Sequence, residues 1–150
     1  MSNVTPEQAL RTKALAHAGV SALIGSRWYA EAARTRGIEY PLVICDVEQS
    51  GAVGGLGGNT GWTIDRIALY IYTDGVEGPD GHDDVKVIAE QLRLALHGKK
   101  QSVTVGSDTV KPSILLLSEE PASRLKEDGS EDMVYGLKQT YSVSMAQATS

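Results

Sequence analysis

Chemistry in a chain of 150 residues has to come from a small set of side chains, and here that set is short: Cys45, His17, His82 and His97, with carboxylates gathered in a few stretches. Cys45 is the natural nucleophile. It sits inside the apolar run Leu42-Val43-Ile44-Cys45-Asp46-Val47, where a thiol behaves as a small buried hydrophobe with a raised pKa and little reactivity. His17 and His97 fall in different helical stretches with no carboxylate or histidine four residues on, so neither makes a metal-ligand pair by spacing. His82 has Asp80, Asp83 and Asp84 beside it, an oxygen-rich set of the kind that binds calcium. Asp74 to Asp84 does not follow the EF-hand pattern, however, and aspartates ahead of a helix are ordinary caps. No Gly-x-Ser-x-Gly elbow occurs, and no acid pair stands isolated in apolar surroundings. The expectation is no catalytic centre, no metal and no cofactor.

Two further segments are candidates for binding rather than catalysis. Gly51 to Gly61 holds 6 glycines in 11 residues and follows a strand, as phosphate-binding loops do. It lacks a G-K-[ST] ending, and the run that follows reads as a strand rather than a helix whose N-terminus could hold a phosphate. The second segment is basic and aromatic: Arg27, Trp28, Tyr29, Arg34 and Arg36, offset only by Glu31. Such a patch can stack on bases or meet a protein surface, and the net charge of -5 favours the protein surface.

The elements that must position these residues follow from periodicity and breakers. Thr5-Pro6-Glu7-Gln8 is a capping box with proline at the first helical position, which predicts a helix from Pro6 to about Ala18, buried through Leu10, Ala14 and Ala18 with Leu15 beside them. Gly19 and Gly25 bracket a further helical turn. Leu42 to Val47 and Trp62 to Thr73 are strand-like, the latter with Ile67, Leu69 and Ile71 on one side and Arg66, Ala68, Tyr70 and Tyr72 on the other. Together they read as a long β-hairpin. Val85, Ile88, Ala89, Leu92 and Leu96 form the clearest helical stripe, stopped by Gly98. Short strands over Ser102 to Val105 and Val110 to Leu117 come next, and Met133 to Met145 alternates as a closing strand. The predicted fold is a single α+β domain over residues 1–150, with two main helices on one face of a largely antiparallel sheet and flexible loops at about 49–61, 74–83 and 118–132.

Composition agrees with a folded chain: 41% hydrophobic and 22% charged, ordinary values that argue against disorder or a fibrous repeat. No apolar run approaches the roughly 18 residues that cross a bilayer, and Met1 to Thr5 carries no leader-like pattern, so a soluble protein is expected. A single cysteine excludes an internal disulfide and suits a reducing compartment. Residues 76–150 carry 12 acidic groups against 8 basic, a balance unsuited to sequence-independent nucleic-acid binding.

The order of elements and several strings resemble the tail terminator (tail completion) family of long-tailed phages. Leu23-Ile24-Gly25-Ser26-Arg27-Trp28-Tyr29 is similar to its Leu-x-Gly-x-Arg-x-Tyr region. Pro41 to Ile44, the strand Arg66 to Tyr72, the helix with Ala89, Leu92, Leu94, Leu96 and Gly98, and Tyr135 with Tyr141 to Val143 follow in order, covering about residues 7 to 145. The resemblance implies a structural virion protein, placed at the head-proximal end of the tail and assembled in the host cytoplasm. Its partners would be further copies of itself in a sixfold ring, the tail tube protein, and a head-completion or connector protein. DNA would pass through without specific binding, and no membrane is implied. No catalytic residues belong to that role. The glycine segment and residues 118–132 depart from the shorter family pattern. Another head-tail connector is the competing reading, followed by a small-ligand-binding or enzymatic domain.

Two sets of residues then become the expected sites. Arg27, Trp28, Arg34 and Arg36, with Gly54, Gly55, Leu56, Gly57 and Gly58, are the subunit or partner contacts, and strand edges are expected to join copies into a closed ring. Glu119, Glu120, Glu127, Asp128, Glu131 and Asp132 are the lumen-facing acids, which would offer passing phosphates no cation to bind.

Overall fold

The computed structural model describes residues 4–30, 41–55, 58–74, 80–98, 102–122, 124–125 and 133–146. Three helices pack on one face of a mixed sheet, in the order α1 (Pro6–Ala16), α2 (Ala18–Ile24), β1 (Trp28–Ala30), β2 (Leu42–Gly55), β3 (Gly58–Asp74), α3 (Asp80–Leu96), β4 (Val103–Val105), β5 (Asp108–Val110), β6 (Ser113–Pro121), β7 (Arg124–Leu125) and β8 (Met133–Ala146). This is the α+β class expected from the sequence. The sheet runs β1-β2-β3-β8-β6 with β7 also paired to β8, and β4 and β5 form a separate hairpin. Only β1 and β2 are parallel; every other pair in the sheet is antiparallel.

α1 begins as the capping box requires: the Gln8 N–H donates to Thr5 Oγ1 at 3.2 Å, and the Thr5 N–H donates to Gln8 Oε1 at 2.9 Å. It ends sooner than the apolar spacing suggests. His17 leaves helical geometry at φ -78, ψ 121, so a new helix starts at Ala18, whose side chain is exposed rather than buried. The restart brings Val20 and Ile24 into the core in its place. At Gly19 the chain passes so close to Gln91 of α3 that a Cβ would overlap that side chain.

α3 supplies the cover. Val85, Ile88, Ala89, Leu92, Ala95 and Leu96 pack with Ile67, Leu69 and Ile71 of β3 and Tyr141 and Val143 of β8 in one continuous core. The helix starts at Asp80, so His82, Asp83 and Asp84 lie inside it instead of ahead of it. Its stop is as expected, with Gly98 at φ +70.

Two sequence expectations are corrected by strand pairing. The glycine segment is not an open loop over 49–61: β2 continues to Gly55 and β3 begins at Gly58, with Gly54 opposite Asn59 and Gly55 opposite Gly58. Glycine is costly to order alone, but β8 holds β3 as far as the Trp62↔Ala146 pair, so β2 has a formed template up to its Ala52↔Thr63 pair, and the Gly54↔Asn59 and Gly55↔Gly58 pairs extend beyond it as a two-stranded ribbon. Residues 118–121 are likewise strand, because β6 passes a register shift between Leu116 and Ser118 and goes on pairing β8 as far as Pro121. Of the three loops expected, residues 56–57, 75–79 and 126–132 lie outside the described residues.

The sheet and α3 are pinned by one buried amide. Gln139 is fully buried; its Nε2 donates to the Ala89 carbonyl at 3.0 Å and to Glu119 Oε1 at 2.7 Å, while the Tyr141 hydroxyl donates to its Oε1 at 2.9 Å. Burial pushes the Tyr141 phenol well above its ordinary range, so it stays a neutral donor. Gln139→Leu keeps the volume and strands these partners, an expected loss of about 1–3 kcal/mol. Thermal unfolding should fall by roughly 3–10 °C; a variant as stable as wild type would remove the pin.

Candidate assembly surface

Because successive residues of a strand point to opposite faces, each residue of β3 and β8 belongs either to the helix-covered face or to the far face. Ile67, Leu69, Ile71, Gln139, Tyr141 and Val143 take the covered one. On the far face Leu42, Ile44 and Tyr72 form a second apolar cluster, with Tyr29 and Tyr70 packed against it and no described helix contributing to it. Tyr70 and Tyr72 stack at 6.3 Å between ring centroids with planes 10° apart. Tyr72 lies over Gly136 of β8, its registered partner. A Cβ at Gly136 would come within 2.6 Å of that ring and 2.7 Å of the Ala122 carbonyl, so only glycine fits.

Beside the tyrosines stands a charge cluster. Lys138 Nζ donates to Glu48 Oε2 at 3.0 Å, lies 3.6 Å from Glu120 Oε1 and sits 5.6 Å from the centre of the Tyr70 ring. The Glu48 carboxylate holds the Lys138 ammonium above its ordinary range. Further along come Thr140, Ser142 and Ser144 of β8 with Ser118 of β6, a run of small hydroxyls, and the exposed Ile64 and Leu115. Besides Lys138, Glu48 and Glu120, the register places Asp46 and Arg66 here. The far face therefore carries more acidic than basic groups, and its lysine is already paired.

The expected contact residues divide sharply. Arg27 is a brace: its Nε donates to the Pro41 carbonyl at 2.6 Å and its Nη2 to the Leu23 carbonyl at 3.2 Å, joining the end of α2 to the start of β2. Trp28 is a core residue at 5% exposure, so in this chain it presents no surface to a neighbour. Its indole Nε1 has no hydrogen-bond partner among the described residues. Gly54, Gly55 and Gly58 sit at the end of the β2–β3 hairpin. Arg34, Arg36, Leu56 and Gly57 lie outside the described residues.

The acids divide too. Glu119 and Glu120 are adjacent on β6 and so point to opposite faces: Glu119 turns to the helix side and Gln139, Glu120 to the far face and Lys138. At most one of the two can line a lumen bounded by a single face. Glu127, Asp128, Glu131 and Asp132 lie outside the described residues.

Sequence reasoning missed the Glu48–Lys138–Glu120 cluster and the Gln139 pin. Gln139 did leave a signal, as the only amide in the apolar phase of the last strand. The cluster left none, since its members lie on three strands far apart in sequence. Cys45 is buried on the covered side, and burial pushes its thiol well above the ordinary range, which keeps it protonated and unreactive. No helix among the described residues is long and apolar enough to cross a membrane.

No protein-family description and no curated protein matches the chain. Among solved structures, a chain of the virion of a native gene transfer agent particle superposes with a TM-score of 0.63 over 92% of each chain, at 16% identity. The two chains share a fold. Sequence identity at that level carries no residue-level correspondence between them.

Arg27→Ala is expected to lower stability by about 1–3 kcal/mol, because two carbonyls lose a cationic donor. Arg27→Lys should restore only part, since an ammonium cannot fork to both. Denaturant unfolding of the isolated chain measures it, and an unchanged midpoint would return Arg27 to the list of contact residues.

Proposed function

We propose that this chain is a structural subunit of a phage-type virion, one that closes into a ring on the head-proximal end of the tail tube, ends tube polymerisation and joins the tail to head-completion proteins. The observation that carries the reading is the fold it has in common with a chain of the gene transfer agent virion over nearly the full length of both. The form of the sheet supports it. A five-strand path with an edge at β1 and another at β6 gives each copy two unlike ends, which is what a heterologous, ring-closing contact uses.

In such a ring the far face suits the channel. Its hydroxyls offer a passing duplex no strong contact, and Lys138 is occupied by Glu48 and Glu120, which leaves Arg66 as the exposed cation of this face among the described residues, so few counterions would be released on DNA contact. The covered face, thick with helices, then becomes the outer wall.

Electron microscopy of the purified chain with and without tail tube tests the reading: rings seated on the head-proximal tube end are expected. Rings bound at the portal instead would make the protein a connector, and a strictly monomeric chain that ignores tubes would end the ring reading. The channel assignment has its own test. Glu48→Gln with Glu120→Gln frees Lys138, and salt-dependent retention of duplex DNA should rise several-fold over wild type in filter binding; equal retention would turn the far face away from DNA.

A further inference from the structure

β6 is the edge of the sheet, and an edge with unpaired backbone groups is either guarded or used. Its first half is guarded by the end of α3. The Gly98 N–H donates to the Ile114 carbonyl at 2.8 Å, and the Leu116 N–H donates to His97 Nδ1 at 2.9 Å, so two outward groups of β6 are taken. Gly98 reaches this position with φ +70, which favours glycine strongly. Histidine is the residue that turns a helix end into an acceptor for a strand N–H, because a neutral imidazole keeps one nitrogen lone pair free.

The other limit is Pro121, which has no N–H to give to an added strand, while the pairing to β8 goes on beyond it through Ala122 and β7. Between the two stops lie Leu117, Ser118, Glu119 and Glu120; by the strand alternation Ser118 and Glu120 turn their backbone groups to β8, and Glu119, with Leu117 at the register shift, turns them outward, where no backbone partner is found among the described residues. Leu115, just before this window, and Leu117, its first residue, are 48% and 51% exposed, apolar where a solvated edge would carry charge.

The opposite edge is β1, three residues long, which fits within four. Along the path β1-β2-β3-β8-β6 the first step is parallel and each later one antiparallel, so β1 and β6 run in opposite directions. Copies related by rotation about an axis along the strands keep their directions. β6 of one copy therefore meets β1 of the next antiparallel, the more stable pairing.

We propose that Leu117–Glu120 is a strand-addition site for β1 of a second copy of this chain, and that His97 sets its register by occupying the Leu116 N–H. The proposal rests on the ring reading and adds to it the strands that meet and the residue that keeps them from sliding. A one-residue slip would turn every side chain of the added strand to the wrong face, so a register stop has a function in a ring that must close.

Cysteine pairs test it. Ala30 is registered with Cys45 and Glu119 with Gln139, so both lie on the covered face, whereas Glu120, registered with Lys138, lies on the far one. A chain carrying Ala30→Cys and Glu119→Cys is expected to give disulfide-linked multimers under mild oxidation. Ala30→Cys with Glu120→Cys should give at least tenfold less, and buried Cys45 should take no part. Adding His97→Ala to the first pair should cut the yield several-fold and make the Leu116 amide exchange faster, and His97→Asn, which keeps an acceptor, should recover part of both. Rings seen by microscopy without the Ala30–Glu119 link would overturn the edge assignment and leave the ring standing. No multimer from any variant or from wild type would overturn both. Unchanged linking and exchange in His97→Ala would remove His97 from the proposal.

Discussion

The seating of α3 on β3 and β8 is the contact on which the rest of the structure depends. It buries Leu92, Leu96 and Ile88 against Ile67, Leu69, Tyr141 and Val143, and it is fixed in position by the single amide of Gln139. Hydrophobic contact alone is non-directional and would tolerate sliding of the helix along the sheet. Gln139 does not tolerate it, because its donors must meet the Ala89 carbonyl and Glu119 while its oxygen meets Tyr141. The position of α3 in turn decides where its last residues fall, and they fall on the edge of β6. One buried side chain thus links the core to the boundary of the sheet.

Covering one face so completely leaves the other to be managed without helices. The chain does this with aromatic rings over glycine and with a lysine set between two carboxylates. Exposed pairs of this kind contribute little stability, with a median of about 0–1 kcal/mol. Their effect is on the character of the surface: Glu48 and Glu120 neutralise Lys138, whose ammonium lies over the Tyr70 ring. The apolar cluster of Leu42, Ile44 and Tyr72 stays small and closed beneath them. The face that results keeps its lysine neutralised, with Ile64 and Leu115 as its exposed apolar residues among those described.

Much of this architecture is legible in the sequence because it depends on local periodicity. The capping box at Thr5, the stripe from Val85 to Leu96, the stop at Gly98 and the alternation of Ile67, Leu69 and Ile71 each use only a few neighbouring residues, and each is found where the spacing puts it. What stays hidden depends on pairing between distant strands. Nothing local distinguishes Glu119 from Glu120, yet strand pleat sends them to opposite faces. Trp28 reads as a surface aromatic beside Arg27 because both stand in a basic stretch, and only the β1–β2 pairing turns its ring into the core. Gly51 to Gly61 reads as a loop because its intrinsic cost is high, and the part of β3 held by β8 carries only the start of the segment, Gly51 and Ala52, into strand on a formed template. Arg27 illustrates the same limit, since a guanidinium that completes two carbonyls cannot be told from a free one by spacing.

The two ends of the sheet show how a chain can be ready to assemble and yet not aggregate. An edge left wholly bare would accept any extended segment in any register. An edge wholly covered would accept none. β6 is held between these by a helix end on one side and a proline on the other, with a register shift at Leu117 that bends the strand where the guarded part gives way to the open part. The hairpin of β2 and β3 follows the opposite rule, for its outermost pairs, Gly54↔Asn59 and Gly55↔Gly58, are mostly glycine and have few side chains to offer. Contacts made there would be insensitive to the partner's side chains, whereas contacts at β6 would depend on register. In the ring proposed above the two would divide the work, a selective edge finding a neighbouring copy and a permissive one meeting a different protein.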